Sequence, residues 1–189
     1  MIKSFLNAKH WQLFLLIFGI PMIFQFVMMT LTISNFASET NSDPSMIFDY
    51  MKFFPIIMIL FMGVLFGWIW SVAIGLQNRI PENIKMNVRK FKFFFFTPLI
   101  YISFFLGFFI VIFTMSSFNP ALFVIIIPLH LFSVFCMFYC LFFVSKTIKT
   151  VEFQREVTFS DFIGEFFMIW FYPIGIWIIQ PKINKMVNI

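Results

Sequence analysis

The residues best suited to chemistry lie in one apolar stretch near the centre of the chain. His130, Ser133, Cys136, Met137 and Cys140 fall within an arc of about 120° on a helix that turns about 100° per residue. An ionisable side chain within a membrane span is a candidate functional residue by default. His130 therefore has three candidate roles: a hydrogen bond inside a helical bundle, a metal ligand, or part of a proton or solute path.

The spacing of these side chains argues against a metal site. At a rise of about 1.5 Å per residue, His130 and Cys140 lie about 15 Å apart along the helix, so one ion cannot bind both. Cys136 and Cys140 are one turn apart, but the sequence contains no third cysteine to complete a thiolate site. We expect no metal ion and no cofactor.

A second polar side chain, Gln25, lies within an earlier apolar stretch, four residues after Pro21. Proline has no N–H, so the carbonyl of Ile17 loses its helical partner, and a nearby glutamine can bond that carbonyl or another helix. The candidate intramembrane polar path therefore consists of Gln25, His130 and Ser133.

Motifs that carry enzymatic chemistry do not occur in the sequence. It contains no P-loop, no GxSxG elbow, no HExxH helix and no dinucleotide fingerprint. The eight acidic residues fall in loops or at the edge of an apolar segment, with no carboxylate pair on a helix to hold a divalent ion. We predict a non-enzymatic protein with no catalytic or cofactor-binding residues.

Composition and hydropathy predict an all-α, polytopic transmembrane bundle that forms one domain over residues 1–189. The chain is 61% apolar and 11% charged, whereas about a quarter of the residues of a soluble domain are charged. Crossing the hydrocarbon core takes about 20 apolar residues. Four windows free of Asp, Glu, Lys and Arg meet that length: residues 11–33, 53–76, 93–115 and 120–144.

Basic residues predict the orientation, because Lys and Arg near the ends of spans are retained in the cytoplasm. A cytoplasmic N-terminus leaves only Lys52 outside among the loops around the four spans. The ten basic residues placed inside are Lys3, Lys9, Arg79, Lys85, Arg89, Lys90, Lys92, Lys146, Lys149 and Arg155. Because these charges lie in short loops between spans, we expect contact with anionic lipids and no binding of nucleic acid.

A fifth apolar segment, residues 162–179, is short for a span and contains Pro173 and Gly175. Proline kinks or ends a helix, so the segment is expected to be re-entrant, interfacial or kinked. Upstream, Thr158 and Asp161 have capping-box spacing, which predicts a helix beginning near Ser160.

Small residues recur at every fourth position of the second span, at Gly63, Gly67, Ser71 and Gly75. Such a stripe allows another helix backbone to come close. The partner is either a neighbouring helix of the same chain or a second copy in a homo-oligomer.

The loop after the second span has the pattern of a basic amphipathic helix beginning near Pro81. Its apolar residues line up on one side, while Lys85, Arg89 and Lys92 face away, where they are candidate contacts for lipid headgroups. Docking of a cytoplasmic partner is the alternative role for this surface.

The stretches REVTFSDFIGEFF (Arg155 to Phe167) and IWFYPIGIWIIQPKIN (Ile169 to Asn184) resemble the C-terminal part of small multi-spanning membrane proteins of Bacteroidota-type bacteria. The resemblance extends more loosely to residues 68–101. It implies an inner-membrane location and no activity.

We expect an accessory, assembly or structural role, with a membrane-protein partner or a homo-oligomer. The alternative is a channel or transporter component with a polar path around His130.

Overall fold

A computed structural model of the chain describes residues 1–38, 54–114 and 123–187, and every regular element within those ranges is helical. Two helices, α1 and α2, precede the first gap in this description, and five follow it. In chain order the helices are α1 (Ile2–Asn7), α2 (residues 10–38), α3 (Phe54–Gly75), α4 (Val88–Thr114), α5 (Phe123–Phe153), α6 (Phe159–Trp170) and α7 (Tyr172–Val187).

Four of these helices are long and apolar enough to cross a membrane: α2, α3, α4 and α5. They coincide with the four predicted windows, although α4 begins five residues before its window and α5 ends nine residues after its own. The window ends 53, 115 and 120–122 lie outside the described residues, as do the loop residues 39–52 and 116–119. The dipeptide Asp43-Pro44, which the sequence predicts as a helix start because aspartate suits the N-cap and proline the first helical position, also lies outside them. Aromatic side chains pack α4 against α5 in antiparallel order, with Phe91 on Phe143 and Phe94 on Tyr139.

Buried side chains concentrate at one end of the bundle. Four helix ends meet there. Arg79, just after α3, donates a hydrogen bond to the carbonyl of Val187 at the end of α7, and Gln154, just after α5, donates one to the carbonyl of Arg79. The N-terminus of α1 joins them, since Ile2 lies against Gly75 at the end of α3. Toward its other end, α5 has exposed apolar side chains, as at Val124 and Ile125. The bundle is therefore densely packed over only part of its length.

The fifth apolar segment is a helical hairpin formed by α6 and α7. The chain turns at Phe171, whose φ of −88° and ψ of 54° are not helical. The break expected at Pro173 lies two residues earlier, at Phe171. Pro173 itself lies in the first turn of α7, where its missing N–H removes no helical bond. Trp170, at the tip of the hairpin, packs on Phe138, the middle residue of α5, with 4.0 Å between ring centroids. The hairpin therefore extends along only half of α5.

The start of α6 confirms the predicted capping box. The backbone N–H and the hydroxyl of Thr158 both donate to the Asp161 carboxylate, at 2.8 and 3.0 Å, and α6 begins at the next residue, Phe159. The Thr158 amide and, after it, the hydrogen bond from Arg155 lower the pKa of Asp161 to about 2. Because this pKa is depressed, the stabilising contribution of Asp161 is complete above its ordinary pKa and is lost as pH falls toward 2.

The amphipathic helix predicted in the loop after α3 is not present. Gln77–Arg79 form one turn of 3₁₀-helix, residues 80–87 are irregular, and α4 begins at Val88. Ile80 is extended, as expected before Pro81. The side chain of Asn87 accepts a hydrogen bond from the Lys90 N–H at 3.0 Å and so caps α4. The extended residue before Pro81 and the cap at Asn87 therefore delay the helix to Val88, although the apolar residues of the loop have helical spacing.

Helix α2 contains one π-helical turn, Leu15–Gly19, directly before Pro21. The N–H of Ile20 bonds the carbonyl of Leu15, five residues back. Because Pro21 cannot donate a backbone hydrogen bond, the wider turn accommodates the interruption without ending the helix.

Replacing Gly175 with alanine should destabilise the α6–α7 hairpin, because a Cβ at position 175 would overlap the backbone carbonyl of Met168. Overpacking against backbone costs about 3 kcal/mol. Gly164→Ala is the matched control, since its Cβ would meet no atom within 4 Å in the described part of the chain. Thermal unfolding in detergent should separate the two variants; equal melting temperatures would contradict this packing.

Candidate functional site

A buried carboxamide, that of Gln180, joins three helices. Its Nε2 donates to the carbonyls of Phe5, Leu6 and Ala8 at 3.1, 3.3 and 2.9 Å. Its Oε1 accepts a hydrogen bond from the indole Nε1 of Trp68 at 2.8 Å. Gln180 and Trp68 are both fully buried, so this amide is satisfied entirely by other parts of the chain.

Asn184 lies one turn after Gln180 on the same face of α7 and binds the same segment. Its Nδ2 donates to the carbonyls of Leu6 and Ala8 at 2.7 and 3.2 Å. Helix α1 ends at Asn7, so these carbonyls belong to a helix terminus that lacks intrahelical partners. Two amides of α7 therefore cap α1.

Four charged side chains form a cluster between α5, α6 and α7. Lys149 and Lys182 each contact both Glu152 and Glu165, with N–O distances of 2.9 to 3.0 Å. Glu165 is only 4% exposed. Because each carboxylate lies between two ammonium groups, the cluster is neutral and its buried charge is compensated.

The residues of the predicted polar path have different environments. His130 is exposed and its Nδ1 lies 3.0 Å from the hydroxyl of Tyr101 on α4. Ser133 is buried on α5. Gln25 is exposed on α2, within a helix whose neighbouring side chains, such as Ile23 and Phe26, are also exposed. The pair that the structure brings together is Tyr101 and His130.

Helix α1 covers part of the predicted small-residue stripe. A Cβ at Gly67 would lie 2.8 Å from the ring of Phe5, and one at Gly75 would lie 2.6 Å from Leu6. The Ser71 hydroxyl donates to the carbonyl of Gly67 at 2.7 Å. A Cβ at Gly63 would meet no atom of the described residues within 4 Å. At Gly67 and Gly75, the stripe therefore packs against a helix of the same chain.

Basic side chains surround the end of the bundle where the core is dense. Lys85 is exposed in the irregular segment, and Arg89 and Lys92 are exposed in the first turns of α4. A cleft of about 1010 Å³ lies between α1, α3, α4 and α7, and Lys3, Arg79 and Lys92 are among its lining residues, which include no carboxylate side chain. Its charge suits a phosphate group.

Within the ranges 1–38, 54–114 and 123–187, no three His, Cys, Asp or Glu side chains come together in a way that could hold a metal ion. Cys136 and Cys140 are buried as free thiols.

Sequence reasoning missed the Gln180 amide and the charged cluster. Gln180 lies just beyond the fifth apolar segment. Gln180 and Asn184 are two amides spaced one turn apart, and that spacing is a usable signal for capping. Lys149 and Glu152 fall in residues 145–160, whose sequence is compatible both with a helical extension of the fourth span and with a short hairpin. The extension is the form observed, since α5 continues to Phe153.

Over the part of the chain that the structure describes, the protein is all-helical, and four of its helices are long and apolar enough to span a membrane. Comparisons with protein-family models, with curated proteins and with solved structures found no match to this chain.

Replacing Gln180 with leucine should lower the free energy of unfolding by about 3 kcal/mol, because it leaves the Trp68 N–H and the carbonyls at the end of α1 short of partners. Gln25→Leu, on the exposed surface of α2, should change it by less than about 0.5 kcal/mol. Thermal unfolding of both variants in detergent is the measurement. A Gln180→Leu protein as stable as the wild type would show that the amide does not hold α1.

Replacing Glu165 with glutamine should cost about 2 kcal/mol, because Lys149 and Lys182 lose a carboxylate that both contact. Chemical denaturation measures this loss. Glu156→Gln, at an exposed position, is the control. Combining Glu165→Gln with Lys182→Gln restores neutrality and should recover part of the loss; a double variant with fully additive losses would argue against a coupled cluster.

Proposed function

We propose that this chain is a non-enzymatic integral protein of a bacterial inner membrane that serves as an accessory or assembly factor for another membrane protein. The observation that carries the proposal is His130, whose ring is exposed on α5 in an apolar part of the bundle and whose Nδ1 pairs with the hydroxyl of Tyr101, a buried residue. Polar groups in that position are expected to bind a partner.

Apolar side chains surround this pair. On α5, Ile127 and Leu131 are exposed beside His130, and on α4, Ile100 and Phe104 are exposed beside Tyr101. His130 falls within the predicted span 120–144, so hydrocarbon would surround its ring. Hydrocarbon offers no hydrogen bond, and a polar ring is costly there. A partner helix that carries a polar side chain would supply a second hydrogen bond to the His130 ring, beside the one with Tyr101, and would bury the surrounding apolar surface.

The arrangement of helix ends supports the proposed orientation, with the N-terminus in the cytoplasm. The ends of α1, α3, α5 and α7 meet on one side, so the basic residues near those ends share that side. The half-length hairpin of α6 and α7 suits a re-entrant segment, which returns Lys182 and Lys185 to the cytoplasmic side. Lys85, Arg89 and Lys92, with the basic cleft, are then positioned for anionic lipid headgroups.

The alternative is a channel or transporter component. The hydrogen bond between Tyr101 and His130 favours it, because it joins two titratable side chains at the depth of a span. Loss of a pH-dependent flux in proteoliposomes on His130→Ala would support this alternative over the accessory role.

A photoreactive amino acid at Leu131, next to His130, should crosslink the partner in intact membranes, because position 131 is exposed on the same part of α5. Adding His130→Ala should reduce that crosslink several-fold by removing the polar contact. The same photoreactive group at Ile174, an exposed residue of α7, is the control and should give no such product. Mass spectrometry of the purified product identifies the partner.

Three outcomes of this experiment would contradict the proposed partner surface. They are the absence of a discrete product at position 131, an equal product at position 174, and a product indifferent to His130→Ala. A product of twice the 22.6 kDa chain mass would instead identify a second copy of this chain and replace the accessory role with a homo-oligomer.

A further inference from the structure

A cavity of about 330 Å³ lies where the π-helical turn of α2, the middle of α3, the middle of α5 and the tip of the α6–α7 hairpin meet. Its lining includes Ile17, Leu65, Met137, Trp170 and Tyr172. Ligand cavities in proteins begin at about 300 Å³ and are mostly apolar with a few polar groups. This cavity has the size and character of a site for one ring-sized apolar group.

The hydroxyl of Tyr172 is the polar group that requires explanation. Tyr172 is 5% exposed, and its hydroxyl has no hydrogen-bond partner among the described residues. The ring is held in place by Trp68, which packs edge-on against it at 5.2 Å between centroids. A buried donor without an acceptor is unfavourable, so native proteins seldom retain one without a role.

The backbone around the cavity is irregular at two points. The π-helical turn Leu15–Gly19 contributes Ile17, and the turn at Phe171 separates Trp170 from Tyr172. Single π-helical turns within α-helices often occur at functional sites. Residues of this turn and the tyrosine with the unpaired hydroxyl line the same cavity.

The position of Tyr172 indicates what kind of acceptor could reach it. The hairpin tip packs at Phe138, the midpoint of α5, so in the membrane arrangement proposed above the hydroxyl lies within the hydrocarbon. Phospholipid ester carbonyls lie nearer the membrane surface, whereas isoprenoid quinones dissolve in the hydrocarbon itself. Val134 and Trp170 line the cavity and are also exposed on the surface of the bundle, so a ligand can enter from the bilayer.

We propose that this cavity binds the ring of an isoprenoid quinone, with a ring carbonyl accepting a hydrogen bond from the Tyr172 hydroxyl. Aromatic and methionine side chains of the lining suit a flat, polarisable ring, and the isoprenoid tail extends into the bilayer. The site binds the quinone without a redox step. The depth argument rests on the proposed membrane arrangement, but the site does not depend on the partner surface at His130.

Titration of the purified chain in detergent with a short-chain naphthoquinone tests this proposal through quenching of tryptophan fluorescence, because Trp170 lines the cavity. The wild type should quench saturably. Tyr172→Phe should weaken binding about tenfold, the value of one hydrogen bond. Because the hydroxyl has no described partner, this variant should fold as the wild type does. Tyr139→Phe, at a tyrosine outside the cavity lining, should bind like the wild type.

A ligand pair sharpens the test. A naphthalene of the same shape but without carbonyls should compete about tenfold more weakly than the quinone for the wild type and equally well for Tyr172→Phe. Absence of saturable quenching, or unchanged affinity in Tyr172→Phe, would overturn the proposal. A phospholipid that co-purifies with the wild type and is lost in Tyr172→Phe would also overturn it, in favour of a lipid carbonyl. None of these results bears on crosslinking at Leu131, so the two proposals can fail separately.

Discussion

A helix that ends in an apolar environment must find partners for its last carbonyl groups, and this constraint organises the dense end of the bundle. Helix α1 is only six residues long, too short to be stable by itself. Gln180 and Asn184 supply donors to its carbonyls, and the same Gln180 amide accepts from Trp68. One side chain thus fixes α1 on α7 and both on α3, and the small residues of α3 leave space for α1.

The charged cluster performs a similar role for the hairpin. Helix α6 contacts α5 through aromatic rings, as at Phe142 and Phe162, whereas the rings of Tyr172 and Trp177 on α7 pack on α3 and α2. The Glu165 carboxylate between Lys149 and Lys182 connects one residue of each helix. A buried ion cluster adds little net stability when compared with apolar residues of the same volume; this one connects the three helices at one point. The position of the hairpin tip therefore depends on two contacts: the close approach of Gly175 to the Met168 carbonyl and the charged cluster around Glu165.

Dense packing at one end leaves the remainder of the long helices as an apolar surface. Two polar groups of the described residues, the His130 ring and the Tyr172 hydroxyl, take no part in the hydrogen bonds around Gln180. His130 is exposed beside Tyr101. The Tyr172 hydroxyl is buried beside an apolar cavity. Neither group contributes to stability in the way that Gln180 does, which is why both are candidates for binding something other than this chain.

The sequence by itself determined the four long apolar helices, because hydropathy and length are local properties, and it determined the start of α6, because a capping box joins residues three apart. It could not determine where the fifth segment turns, since Pro173 suits the first turn of a helix as well as a break. The partners of Gln180 lie more than 110 residues away, and those of Glu165 lie on two other helices. Only the tertiary structure decides such contacts, because a buried polar side chain is defined by the groups that satisfy it, and the local sequence does not contain them.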